Sequence, residues 1–392
     1  MQLRMPQSQD SLLVVLKVVG ETCNINCHYC YERRKPYGGS QYLKTEDVAK
    51  FLDSCGGRPL AIQLHGGEPL LMKRPRMAEI FALLRQYPGV ARVAIQTNGI
   101  LLNEEWLAFF DEQWPGLDIG ISLDGDQEGN AHRVDFHDRP TYAKVVQALE
   151  LCERRGRGVG VIAVVTRRML GRATEVLDNI AQFGAVRGVK LAPCFDYNVT
   201  TKAYATPNRV SLQVLNPDGV GMPGWSTSPM EYAEFILQAY DYWRNTGLYS
   251  KFSIEPFVSV IRSIAGLLNG YESFSDRKCP FVVTLYPDGR IGTTDEIDLP
   301  QSLIGSMDTL TTVEELIDYR ANPALLHQMQ RLLDKCTGCS HQSTCRGGML
   351  SERIPYEGTV YEKQYCDARK RIIDHVSEDI ARIKGEAARA HA

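Results

Sequence analysis

Short apolar runs alternate with helical patterns through the first half of the chain, and this rhythm limits the folds open to it. LLVVLKVV precedes TEDVAKFLDSC, LAIQLH precedes a helical stretch near 74 to 86, and VAIQT precedes NEEWLAFFDEQ. LDIGISL is followed by a helix opening near Pro140 and Thr141, VGVIAVV by a helix near 170 to 183, and VKLAP closes the series. Strands separated by helices are repeated βα units. Six of them predict a parallel α/β sheet, open or curved, whose reactive residues stand at the carboxyl ends of the strands.

The texture then changes twice. From about 196 to 228 the sequence is rich in Pro, Gly and Asn and reads as a linker or substrate-facing loop, before a helix starts at Ser228-Pro229. Beyond 279, CPFVVTLY, PDG and RIGTT read as a hairpin turning at Asp288-Gly289, followed by irregular, cysteine-rich sequence. Three segments result: 1–195 as the βα unit, 196–275 as a loop with bridging helices, and 276–392 as a second, smaller domain.

A net charge of -3 lacks the basic excess that a nucleic-acid backbone demands, so nucleic acid is not expected as a partner. The N-terminal apolar run is short and interrupted by Lys17, which fits neither a signal peptide nor a membrane span. A cytoplasmic protein with no membrane association is expected. Eleven cysteines in such a compartment point to metal ligation or catalysis rather than disulfides.

Cys23, Cys27 and Cys30 form a CxxxCxxC loop directly after the first strand. Three thiolates in one tight loop can ligate three irons of a four-iron cluster and leave the fourth iron open. Zinc is the competing reading, with His28 as a fourth ligand. Strand two ends in Gly66-Gly67-Glu68-Pro69, strand three in Gln96-Thr97-Asn98-Gly99, and strand four in Ser122-Leu123-Asp124-Gly125, with Arg133 a few residues on. Each alone is an ordinary turn or a surface charge. Four in order, each at a strand end, are much harder to reach by chance.

In this spacing, with Tyr29 before the third cysteine, the chain resembles the radical S-adenosylmethionine (SAM) enzymes. The resemblance implies a partial (β/α)6 barrel and a [4Fe–4S] cluster held by Cys23, Cys27, Cys30 and SAM. It further implies reductive cleavage of SAM to a 5′-deoxyadenosyl radical, with electrons from a flavodoxin- or ferredoxin-like donor. Tyr29, Gly66, Gly67, Glu68, Pro69, Thr97, Asn98, Ser122, Asp124 and Arg133 would then surround SAM. Glu68 would lie on its amino group and Arg133 would pair with its carboxylate.

Cys336, Cys339, Cys345 and Cys366 can close a second metal site, a zinc ribbon or an iron–sulfur cluster. CxxC followed by Cys-Arg-Gly-Gly resembles the SPASM domain, which adds auxiliary clusters to radical SAM barrels. The resemblance also marks a departure: Cys279 fits the opening cysteine, but Thr294 and Met349 stand where two further ligands are expected. One auxiliary cluster is therefore predicted, hence two clusters and about eight irons per chain. Cys279 is left as core packing or as a hydrogen-atom donor, with Cys194 at the end of strand six as a rival donor. Cys55 and Cys152 fall on helical patterns and are expected in the core.

SPASM proteins mostly modify peptides. The motifs around Ser122 and Ser228 most resemble cyclophane-forming maturases of ribosomally made peptides, which implies a peptide substrate such as a short ribosomal precursor. Epimerisation or dehydrogenation of a sugar or other small molecule is the alternative, and a formylglycine-type sulfatase maturase the second. Asp295 corresponds to the base of those sulfatase maturases; it can otherwise be read as a solvated loop acid.

Overall fold

The computed structural model describes residues 1–32, 42–195, 199–201, 212–214, 224–270, 273–297 and 299–390. The six apolar runs become β1 (Leu12–Lys17), β2 (Leu60–His65), β3 (Val90–Thr97), β4 (Asp118–Ser122), β5 (Val159–Val165) and β6 (Val186–Pro193). They pair in chain order and in parallel, as in the register Leu12↔Leu60 through Lys17↔His65. Between them run α1 (Thr45–Ser54), α2 (Arg74–Gln86), α3 (Glu104–Gln113), α4 (Tyr142–Arg154) and α5 (Ala173–Ala181). Each helix buries one apolar stripe, in α2 Met77, Ile80, Phe81 and Leu84, because residues three and four apart share a face. This is the partial (β/α)6 barrel that the sequence predicts.

Two short strands follow, β7 (Val199–Thr201) and β8 (Leu212–Val214), paired antiparallel. The remainder of the loop expected over 196–228 lies outside the described residues up to 223. Helix α6 (Pro229–Asn245) starts where Ser228 Oγ accepts from Glu231 N and the Glu231 carboxylate accepts from Ser228 N, a reciprocal cap. Then come β9 (Ser253–Glu255), parallel to β6, and α7 (Phe257–Ile264).

The hairpin beyond 279 extends the barrel's own sheet. Its strands β10 (Val282–Leu285) and β11 (Arg290–Gly292) flank a turn in which Gly289 takes φ 81°, a conformation open to glycine. β10 pairs parallel with β1, and β12 (Leu303–Ser306) pairs with β11. One ten-stranded sheet results, ordered β12-β11-β10-β1-β2-β3-β4-β5-β6-β9. The irregular C-terminal sequence thus borrows an apolar backing that it lacks on its own. Helices α8 (Val313–Ile317), α9 (Pro323–Asp334), α10 (Gln342–Cys345), α11 (Leu350–Arg353) and α12 (Val360–Ala390) complete the chain. One apolar core runs from Leu3 through the sheet to Val376 of α12. Among the described residues, no helix is long and apolar enough to cross a membrane.

Candidate active site at the strand ends

The cysteine loop after β1 packs as a small apolar cluster: Ile25, Cys27, Tyr29 and Cys194 are buried, with Cys23 and Cys30 against them. Two backbone bonds, Asn26 N to Val134 O (2.7 Å) and His28 N to His132 O (3.0 Å), pin the loop to the segment after β4. Burial, then the charges of Glu68, Cys30 and Cys27, push the Cys23 thiol far above its ordinary value. A buried thiol raised in this way beside two further cysteines suits a cationic ligand, since a metal removes that penalty.

The glycine pair after β2 lies directly on this loop. Gly67 N donates to Gly20 O and Glu68 N to Thr22 O, both at 2.8 Å. A Cβ on Gly67 would stand 2.2 Å from Thr22 O, so this approach needs glycine. The Glu68 carboxylate is fully buried and accepts from Leu70 N (3.0 Å), Thr97 Oγ1 (2.7 Å) and Asn98 N (2.7 Å). Burial still pushes its carboxyl up to about 7, against the lowering effect of those donors. Asn98 Nδ2 continues to Asn24 Oδ1 at 2.7 Å and Cys23 Sγ at 3.6 Å. The cysteine loop and the ends of β2 and β3 therefore form one hydrogen-bonded unit. Pro69 opens the buried turn Pro69–Leu71 behind it.

The end of β4 closes the other side. Ser122 Oγ accepts from Gln96 Nε2 at 3.0 Å. Asp124 is fully buried and accepts from Val164 N at 2.9 Å and from the Tyr29 hydroxyl. Arg133 is buried too; its Nη1 donates to Tyr29 Oη at 2.8 Å, while its Nε has no partner among the described residues. A buried guanidinium with a spare N–H is a receptor for an oxyanion, of which a carboxylate is the simplest. All the residues expected around SAM thus lie along the ends of β2, β3 and β4 or in the loops that follow β1 to β4, Tyr29 coming from the cysteine loop itself.

A second cluster adjoins the cysteine loop, and of its members only Asp295 stood out in the sequence. Lys17, at the end of β1, is 0% exposed; its Nζ lies 2.5 Å from Glu32 Oε1, 2.5 Å from Asp295 Oδ2 and 3.2 Å from His65 Nδ1. Tyr31 donates its hydroxyl to Asp295 Oδ2 at 3.1 Å. Asp295 is 9% exposed, so it is no solvated loop acid; the β10–β11 hairpin delivers it over the barrel mouth. Among the described residues Glu32, His65 and Asp295 bring three ligand atoms within 4.8 Å of one another. The Lys17 ammonium already bonds all three, which makes the group a charge-paired cluster rather than an ion site. The missed signal was a lysine ending an otherwise apolar strand.

The four C-terminal cysteines lie on or beside α9, α10 and α12. Burial and the nearby Cys345 and Cys336 push the Cys366 thiol up, whereas Arg369 holds Cys345 below its ordinary value despite burial. Among the described residues no three of these thiols come within 4.8 Å of one another, and the same holds for Cys23, Cys27 and Cys30. Cys279 is buried in the main core with its thiol pushed up to about 12, and Thr293 Oγ1 donates to its carbonyl at 2.6 Å. Cys55 and Cys152 are core residues, Cys152 within α4 and Cys55 just past α1.

Residues 18–181 match the Radical SAM superfamily. The chain is 26% identical over 357 residues to a serine-type anaerobic sulfatase-maturating enzyme of Bacteroides thetaiotaomicron, covering 88% of this chain and 83% of that one. It is 23% identical over 387 residues to a cysteine-type anaerobic sulfatase-maturating enzyme of Clostridium novyi, covering 93% and 95%. The solved structure of anSMEcpe with bound AdoMet and Cp18Cys peptide superposes with a TM-score of 0.75 at 21% identity, covering 96% of this chain and all of that one. Streptococcus suis SuiB gives 0.55 at 15% identity, covering 90% and 76%. The strand-end motifs and these matches agree: the chain contains a radical SAM domain, at residues 18–181.

Proposed function

We propose that this enzyme carries out an oxidative side-chain modification of a peptide or protein, a reaction of the class named for its sulfatase-maturating relatives. The observation that carries the reading is Asp295, buried and bonded to Lys17 and Tyr31 beside the cysteine loop. Cys23, Cys27 and Cys30 would hold a [4Fe–4S] cluster, and Arg133 and Glu68 the carboxylate and amino group of SAM. When bound, that pair supplies the radical that removes hydrogen from the substrate, and a cluster at Cys336, Cys339, Cys345 and Cys366 supplies a one-electron acceptor. Thr97 and Asn98 orient Glu68, and Tyr29 with Asp124 orients Arg133. Asp295 Oδ2 takes the proton left as the substrate carbon becomes a carbonyl or a crosslink, and Lys17 then stabilises the remaining carboxylate of Glu32.

The test is an anaerobic assay with reductant, SAM and peptides bearing serine or cysteine, read by mass spectrometry. Loss of two hydrogens from a serine peptide together with 5′-deoxyadenosine is expected. Asp295→Asn should retain SAM cleavage and lose the product; a variant that turns over like wild type sinks the assignment of the base. Cys194, packed against Cys27 and Tyr29, favours one second reading, an epimerase in which its thiol returns a hydrogen atom. Solvent deuterium in the product, abolished in Cys194→Ala, would select it.

A further inference from the structure

Three cations are buried beside the four C-terminal thiols: Lys278 and Arg369 at 7% exposure and Arg353 at 2%. Arg369 directs Nε at Cys345 Sγ (3.1 Å), while its Nη2 donates to the carbonyls of Ser273 (3.1 Å) and Cys345 (3.3 Å). Its guanidinium lies 3.9 Å from the centre of the Phe274 ring. Arg353 Nη1 points at Cys336 Sγ (3.6 Å) and donates to Gly347 O (2.7 Å); its Nη2 donates to Leu332 O (2.8 Å). Lys278 Nζ donates to Gly348 O at 2.5 Å.

These partners are carbonyls, sulfurs and the Ser273 hydroxyl; among the described residues none of the three cations pairs with a carboxylate. Glu352, the half-buried acid nearest in effect to Arg369, accepts from the Tyr365 hydroxyl at 2.7 Å, and desolvation biases it toward its neutral form. Arginine does not shed its proton, so its burial demands an anion. Two of the four thiols, Cys345 and Cys336, are what Arg369 and Arg353 face.

We infer that Lys278, Arg353 and Arg369 make the four-cysteine site an electron acceptor by stabilising the reduced form of a cluster bound there. This rests on the reading that Cys336, Cys339, Cys345 and Cys366 carry an iron–sulfur cluster. Such a cluster is anionic in both redox states and gains one negative charge on reduction. The fixed guanidinium charges and N–H donors at its sulfurs, with the Lys278 ammonium close by, therefore favour the reduced state and raise the potential. An acceptor is what an oxidative modification needs after hydrogen removal.

The test uses the full chain with Cys23, Cys27 and Cys30 all replaced by Ala, so that iron reports the C-terminal site alone, in an EPR-monitored redox titration. Arg369→Gln is expected to lower the ratio of reduced to oxidised cluster at the parent midpoint about tenfold, a shift of about 59 mV for one electron. Arg369→Lys, which keeps the charge, should stay within about threefold. Lys278→Met should shift the ratio the same way by less, and it carries the test if Arg369→Gln loses its iron. Unmoved or raised midpoints in both charge-removing variants overturn the inference alone. Zinc, or no metal, in the parent overturns the auxiliary cluster and the inference with it.

Discussion

Replacing Lys17 by Met keeps an apolar stem and removes one charge shared by two carboxylates. Both N–O separations are 2.5 Å, and at an effective dielectric of about 20 each contact carries about 6 to 7 kcal/mol of attraction. Dehydrating three ions costs several kcal/mol apiece, so in the intact protein the two effects largely cancel. In Lys17→Met the cancellation is lost: Glu32 and Asp295 stay dehydrated and repel each other. A loss of about 3 to 5 kcal/mol in stability is expected. Asp295→Asn leaves the Lys17–Glu32 pair intact and should lose only about 1 to 2 kcal/mol. The double variant relieves the repulsion, so the two losses should fall short of additivity by at least about 1.5 kcal/mol. Unfolding of the four proteins, compared anaerobically at equal iron content, measures this. A Lys17→Met loss below about 1 kcal/mol, or additive losses, would show that the cluster is not a charge-paired unit.

Iron counting on anaerobically reconstituted monomer should give about eight per chain, and about four when Cys23, Cys27 and Cys30 are all Ala; four or twelve in the parent contradicts the two-cluster assignment. Cys27→Ala should abolish 5′-deoxyadenosine formation. Glu68 adds a pH dependence. Its folded carboxyl is raised from 4.5 to about 7, so its contribution to apoprotein stability is full below about 4.5 and is lost as pH rises through about 7. Binding of an ammonium group runs the other way: SAM affinity, read by calorimetry, should rise up to about tenfold per unit below pH 7 and level off above it. Glu68→Gln should weaken binding and flatten that profile; a parent profile flat from pH 5.5 to 8 places the SAM amino group elsewhere. Arg133→Gln should weaken SAM binding about tenfold or more, with little recovery in Arg133→Lys, which lacks the planar fork.

Local signals made the barrel legible. β-branched runs and the Ser228 cap depend on neighbours in sequence, and the glycine pair after β2 marks a close approach without naming the distant loop that makes it. The parallel pairings of β9 with β6 and β10 with β1 join segments far apart in the chain, and short strands carry little signal of a distant partner. The same distance hid the Asp295 environment, since Lys17 and Asp295 are 278 positions apart. Arg353 and Arg369 sit in sequence that reads as ordinary charged helix surface, and only the packing of α11 and α12 on α9 and α10 buries them.

The departures at Thr294 and Met349 raise the question of what holds Asp295 in place. The hairpin answers with oxygen and nitrogen in place of sulfur and iron. Thr293 Oγ1 donates to Cys279 O at 2.6 Å and accepts from the Tyr319 hydroxyl at 2.7 Å, Ser351 donates to Glu296, and Lys278 reaches Gly348 O. Tyr319 is 1% exposed and Thr293 is fully buried, so these bonds are shielded from water and expensive to break. A carboxylate fixed in this way keeps its geometry whether or not iron is bound nearby. On the proposed function the fold thus preorganises the proton acceptor, and a cluster held at the four-cysteine site would need to act on electrons alone.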